Sequence, residues 1–299
     1  MVQKPIKNQT EWTIYISKLK TVKSETSTKI YIIPKNDEVI INNTITISIE
    51  IKNNGTIRNN ANIYITKDAS IDNHGTIINN ENSNITNNKG GFIKNNQDRN
   101  ITNDGTITND GTITNNGTIT NNDAITNNKG GTITNNGTIT NNDAITNNKG
   151  GTITNNGTIN NENMTDSIIT NNYIIENNGT INNNYTIMNN GTITNNKTIT
   201  NNKTITNNYI ITNEGTITNS GNTINNYIIR SNRPITNVIG NKVVPLESTK
   251  TIDMVEEWET YMKKLGIDKR EGNTNSFRII PTGHEVIINV IINNNYNII

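Results

Sequence analysis

Few residues in this chain have the type and spacing that reactive chemistry needs. Its two histidines, His74 and His284, stand in different segments, neither within a metal-ligand spacing, and there is no cysteine to supply a thiolate ligand or a disulfide. A β-helical polysaccharide hydrolase needs clustered carboxylates in a groove. Asp123 and Asp143 recur at one position of a repeat, and Asp104 and Asp110 lie six residues apart, but all four take places otherwise held by Gly or Asn and read as corner residues. The turns Lys129-Gly130-Gly131 and Lys149-Gly150-Gly151 lack the strand–loop–helix context and the Lys-Ser/Thr ending of a phosphate loop. The sequence therefore assigns no catalytic residue, no cofactor and no metal ligand, and reads as a non-enzyme.

What could position any site is a short repeat. An isoleucine returns every sixth residue in the frame Gly-Thr-Ile-Thr-Asn-Asn, readable at Gly111–Asn116, Gly117–Asn122, Gly131–Asn136 and Gly191–Asn196. Thr-Ile-Thr alternates polar and apolar with period two, the pattern of a half-buried strand made of β-branched residues, and Asn-Asn-Gly supplies a turn. Residues 111–130 are repeated without change as 131–150, three hexads plus two extra residues. A duplication that preserves a fold adds one whole coil. The sequence thus predicts an all-β fold, a triangular parallel β-solenoid with three short strands per coil of about 18–20 residues and about eleven coils. Ile107, Ile113, Ile119, Ile125, Ile133, Ile139, Ile145, Ile153, Ile193, Ile199, Ile205 and Ile217 are the predicted core. Asn115, Asn121 and Asn135 are predicted to turn inward and hydrogen-bond up a column.

Three parts are expected: a capping module over 1–42, the solenoid over 43–237, and a C-terminal module over 238–299. The two ends match. Trp12-Thr-Ile-Tyr15 through Leu19 corresponds to Trp258-Glu-Thr-Tyr261 through Leu265, and Ile32-Ile33-Pro34 with Glu38–Asn42 corresponds to Ile279-Ile280-Pro281 with Glu285–Asn289. Asp253, Glu256 and Gly266 carry helix start and stop signals, and Met254, Trp258, Tyr261, Met262 and Leu265 fall on one helical face. The second copy runs into new repeat-like sequence, so Trp258, Tyr261, Leu265, Ile287, Ile288, Ile291 and Ile292 are candidate assembly residues for a head-to-tail homo-oligomer or filament.

Asn makes up roughly a quarter of the 299 residues, and only 30% of the chain is hydrophobic. That composition alone suits a disordered segment, but disorder does not need a fixed isoleucine phase. A net charge of +1 gives no electrostatic footprint for nucleic acid. No run is long enough to insert in a membrane as a helix, and no signal peptide is visible at Met1–Asn8.

Ile280-Pro281-Thr-Gly283-His-Glu-Val-Ile-Ile and the Asn-Asn-Gly-Thr-Ile-Thr-Asn-Asn runs resemble asparagine-rich repeat proteins of AT-rich giant viruses and the β-helical stalks of bacterial haemagglutinin-type adhesins and autotransporters. The resemblance implies a structural or adhesive fibre on a virion or cell surface, with surface glycans as a further partner. A second expectation is ice binding. Thr118, Thr120, Thr138, Thr140, Thr198, Thr200, Thr216 and Thr218 would share one face as a two-column array that resembles insect antifreeze solenoids. A third is a carbohydrate-binding or polysaccharide-acting β-helix.

Overall fold

Each hexad folds as one strand and one corner. In Thr112–Asn115 the two threonines face outward and Ile113 and Asn115 face inward, the isoleucine 3% and the asparagine 0% exposed. Asn116-Gly117 then turns the chain, and the next strand, Thr118–Asn121, belongs to a different sheet. Three such steps close a coil. In the computed structural model, which describes residues 1–23, 29–162, 166–231, 233–241, 243–244, 249–252, 258, 266–269, 276–279, 285–288 and 297–298, the coils stack as a parallel β-solenoid with three sheets. The first sheet runs from Val2–Ile6 through Asp37–Ile41 to Thr216–Asn219, and the second from Ile45–Ile47 to Val238–Gly240; each has eleven strands. The third has thirteen, from Lys20–Lys23 and Lys29–Ile33 to Val243–Val244. Ten spacings of roughly 4.8 Å give a rod about 48 Å long.

The internal duplication adds one coil: Ile113 stacks on Ile133, Ile119 on Ile139 and Ile125 on Ile145. Coil length varies more widely than expected, from 18 residues between Asn103 and Asn121 to 24 between Asn79 and Asn103. Corners absorb the difference. The minimal corner has two residues. Four-residue corners such as Thr66–Ala69, Asn80–Ser83, Asn88–Gly91, Asn96–Arg99 and Asn128–Gly131 close with a hydrogen bond from the fourth N–H to the first carbonyl. Their third residue is always left-handed: Asp68, Asn82, Gly90, Asp98 and Gly130 have φ between 59° and 86°. Gly, Asn and Asp are the residues that tolerate this conformation.

Two layers of inward side chains hold the coils. All twelve predicted core isoleucines are buried, Ile217 the most exposed at 7%. Each contributes roughly 1.5–3 kcal/mol. The inward asparagines form three columns, one per corner. Asn95 Nδ2 donates to Asn115 Oδ1 at 2.9 Å, Asn115 to Asn135 at 2.8 Å and Asn135 to Asn155 at 2.8 Å. Asn121 donates to Asn141 in a second column and Asn127 to Asn147 in the third. Each Nδ2 also meets backbone carbonyls at its corner, as Asn115 does at Gly117 and Thr138. The columns thus satisfy polar groups that burial would otherwise leave unpaired.

The N-terminal residues close the rod. Val2–Ile6 pairs parallel with Asp37–Ile41, and Lys20–Lys23 pairs antiparallel with Lys29–Ile33. Between them α1 (Gln9–Ser17) takes the place of a third strand. Its Asn8 cap accepts from Glu11 N, and Trp12 and Ile16 are buried on the first coil. Gln9 imitates a strand edge, accepting from Thr46 N at 2.7 Å and donating to Thr46 O at 3.1 Å. The first full coil, 29–47, straddles the expected module boundary at residue 42, because Lys29–Ile33 already pairs with Glu50–Asn53.

At the other end the hexad frame persists in Arg233-Pro234-Ile235-Thr236-Asn237, but Pro234 stands where earlier coils place a threonine N–H, such as that of Thr216, which donates to Lys197 O. Proline has no such donor, and the first sheet stops there. Thr249–Ile252 then pairs parallel with Glu285–Ile288, Gly266–Lys269 antiparallel with Ser276–Ile279, and Ser276–Ile279 parallel with Asn297–Ile298. These are the N-terminal pairings again: Lys250 meets Val286 as Lys4 meets Val39, and Phe277 meets Asn297 as Ile30 meets Glu50. Trp258 is helical and 3% exposed, matching Trp12.

Candidate functional site

The outward faces carry the repeated chemistry. All eight threonines of the expected array lie on the first sheet: Thr118 stacks on Thr138, Thr120 on Thr140, Thr198 on Thr216 and Thr200 on Thr218. The inner half of that array is not continuous. Between the two blocks the second column holds Asn160 and Asn182, which hydrogen-bond to one another at 2.9 Å. The third sheet has the longer uninterrupted stretch, Thr112 and Thr114, Thr132 and Thr134, Thr152 and Thr154, before Ile174 replaces threonine. The other interruptions, Ile210 and Ile228, also fall on the third sheet.

The acidic pairs separate. Asp123 and Asp143 do share one corner column, where Ala144 N donates to Asp123 O. Burial, then the charges of Asp123 and Asp166, raise the Asp143 carboxyl above its ordinary range. Asp104 and Asp110 sit at different corners, and Asp104 serves as an asparagine substitute, accepting from Asn122 Nδ2 at 2.7 Å. Among the described residues no three His, Asp or Glu side chains converge as a metal site. The hydrophobic interior leaves a narrow void of about 40 Å³ lined wholly by isoleucines, the seam of the core and dry by its lining.

A cluster of charged side chains lies near the N-terminal end. His74 Nε2 and Asp72 Oδ2 are 2.9 Å apart, Asn96 Nδ2 donates to Asp72 Oδ1 at 2.7 Å, and Lys94 Nζ is 3.9 Å from the same oxygen. An open cleft of about 580 Å³ runs beside it, floored by Gly55 and Gly75 and walled by Lys35 on one side and Asp98 and Arg99 on the other. His284 lies outside the described residues. So do Tyr261, Leu265, Ile291 and Ile292 of the expected assembly set, along with Asp253, Met254, Glu256 and Met262 of the expected helix. Trp258 is buried, and Ile287 and Ile288 lie in the strand paired with Thr249–Ile252.

The position two residues before the isoleucine faces solvent at Lys197, Lys203 and Tyr209, which are exposed, and is half-buried at Tyr185. A second asparagine ladder, which the hexad pattern alone did not suggest, runs along the outside. Asn136 Nδ2 donates to Asn116 Oδ1 and Asn156 to Asn136. The signal for it was the second Asn of each Asn-Asn pair, which stacks with the same period as the first.

Comparison with known protein families, curated proteins and solved structures finds no match to this chain.

Proposed function

We propose that this chain is a non-enzymatic structural rod, a rigid spacer or adhesive element of a virion or cell surface. The observation that carries this reading is the distribution of its chemistry. Strand after strand repeats the same inward Ile and Asn and the same outward Thr pair, so the surface offers many copies of one weak contact.

End-to-end growth is the natural assembly for a rod, but the N-terminal edge weighs against that end as a joint. Its outermost strands are Val2–Ile6, with Lys4 and Pro5, and Lys20–Lys23, exposed throughout. Edge lysines and proline discourage strand addition. Growth through the strand Glu285–Ile288 would have to meet that edge. Negative-stain electron microscopy over a concentration series tests the proposal. Discrete rods of uniform length are expected at all concentrations. Filaments with an axial repeat near one molecule's length would replace the spacer with a self-assembling fibre, and globular particles without rod shape would overturn the reading.

A further inference from the structure

One corner of the rod departs from the pattern in a way the fold does not require. The residues preceding successive third-sheet strands are Gly111, Gly131, Gly151, Tyr173, Gly191, Tyr209 and Tyr227. Glycine serves this position repeatedly, so nothing in the coil demands an aromatic ring. Yet Tyr173, Tyr209 and Tyr227 are 40%, 45% and 47% exposed, against a general tendency to cover such surface. Tyr209 and Tyr227 stack with ring centroids 5.4 Å apart and an angle of 8° between planes. Gly191 leaves the coil below Tyr209 without a side chain at this corner. Ile210 and Ile228 follow the two tyrosines and stack on one another, which extends the apolar strip onto the adjoining face.

A polar rail borders this strip. Asn226 Nδ2 donates to Asn208 Oδ1 at 2.8 Å, Asn208 to Asn190 at 2.8 Å and Asn190 to Asn172 at 2.9 Å. Each of these amides precedes a corner residue of the tyrosine column, and each uses one N–H in the ladder, leaving a second donor and an acceptor lone pair for a ligand. On the other side runs the column Glu176, Thr194, Thr212 and Arg230, neutral in its middle and charged at its two ends.

We propose that this corner is a binding strip for a neutral glycan chain lying along the rod axis. A pyranose has an apolar face that packs on an aromatic ring and an equatorial fringe of hydroxyls that pairs with amides, and here the two partners run side by side. The coil rise of roughly 4.8 Å is close to the length of one sugar in an extended β-linked chain, so a glycan along the axis keeps pace with the coils and spans the adjacent rings of Tyr209 and Tyr227. Rigid, half-exposed tyrosines give contact area at low entropic cost. The strip is independent of the spacer reading: a rod that binds no sugar remains a rod.

Saturation-transfer NMR on the full chain, with cellohexaose and chitohexaose as probes, tests it. Transfer from tyrosine ring protons to sugar protons is expected with at least one probe. Tyr209→Ala with Tyr227→Ala should weaken binding about tenfold or more through the lost stacking, and Asn208→Ala should weaken it less. Phe92→Ala, an equally exposed aromatic elsewhere on the third sheet, should leave it unchanged. Unchanged circular dichroism would show that the variants keep the fold. No transfer with either probe, or transfer that survives the double substitution, would overturn the proposal. So would a double variant whose only effect is to abolish self-association in sedimentation, which would give the strip to a second copy of the chain.

Discussion

The first full coil and the middle coils have the same outline and different interiors. In residues 29–47 no inward position holds asparagine: Tyr31 is partly buried against the core, and Ile33, Val39, Ile41, Ile45 and Ile47 are all buried to 1% exposure or less. In the middle, one of the two is always asparagine. The change occurs within single stacks, where Ile33 lies under Asn53, Ile41 under Asn59 and Ile65 under Asn87. An amide ladder needs a neighbour on each side, and its lowest member has an oxygen with no donor beneath it. Asn53 and Asn87 show that cost: their Oδ1 atoms are buried with no hydrogen-bond partner. Isoleucine below the ladder ends the requirement there, and Trp12 and Ile16 then cover an interior that is wholly hydrophobic. Asparagine sets register where coils repeat; aliphatic packing closes the end.

That contrast can be broken most severely at the lid. Trp12→Ala should cost about 3–5 kcal/mol, the usual range for emptying a buried aromatic site, and should lower the urea midpoint of the N-terminal coils first. Asn135→Leu comes next. It leaves the buried Oδ1 of Asn155 without its donor and removes the bonds to the Gly137 and Thr158 carbonyls, a loss on the order of 3 kcal/mol by urea denaturation. The same change at the ladder's foot, Asn53→Leu, should cost about 1 kcal/mol or less, because its own oxygen is already unpaired and Asn73 Oδ1 keeps the Gly75 N–H. Equal losses at the two positions would remove the distinction between end and middle.

Thr223→Val should raise stability by about 1 kcal/mol. Thr223 occupies the isoleucine position above Ile205, is 2% exposed, and its hydroxyl has no partner, while Ile224 points outward in its place. A drop in the urea midpoint would contradict this. The smallest effects are electrostatic and of opposite sign. Glu38 accepts from Arg58 at 2.9 Å and from Gln3 at 3.2 Å, tying the N-terminal strand to the first coils, and these bonds hold its carboxyl below the ordinary range. Its stabilisation is complete above the unfolded carboxylate pKa and fades as pH falls through the folded value. Asp143, raised by burial and by its acidic neighbours, does the reverse: its contribution is present at low pH and is lost as pH rises from the unfolded value through the folded one. Glu38→Gln should therefore flatten the acid limb of a stability–pH profile, and Asp143→Asn should lift the neutral limb.

Much of this was legible in the sequence. The isoleucine phase and the 20-residue duplication led to three strands per coil, and the period-two alternation placed Ile113 and Asn115 on one side of the strand. The matching ends were visible in Trp12 and Trp258. What was hidden lay at corners, where register depends on conformation and not on hydrophobicity. The left-handed third residue explains why Asp68, Asn82, Asp98 and Gly130 are interchangeable, but three residue types at one position look like noise until the turns are seen. The polarity of the ladders was equally hidden. Inner amides donate toward the C-terminal end, as Asn115 does to Asn135, and outer ones donate toward the N-terminal end, as Asn136 does to Asn116. Opposed rows of side-chain dipoles partly cancel, which a string of identical Asn-Asn pairs does not reveal. The strip of tyrosines at 173, 209 and 227 was also invisible as a site, because coils of equal length, with Gly191 in place of a ring in one of them, become one column only when they are stacked.

The central claim is that paired inner and outer asparagines have different jobs, the inner ones locking the coils. Side-chain amide hydrogen exchange, read by NMR on uniformly labelled protein, tests this most directly. The account predicts two populations: slow exchange for the buried Nδ2 groups of Asn115, Asn121, Asn127, Asn135 and their stacked equivalents, and fast exchange for outer members such as Asn136 and Asn156. A single population in which all asparagine side chains exchange at solvent-limited rates would contradict it.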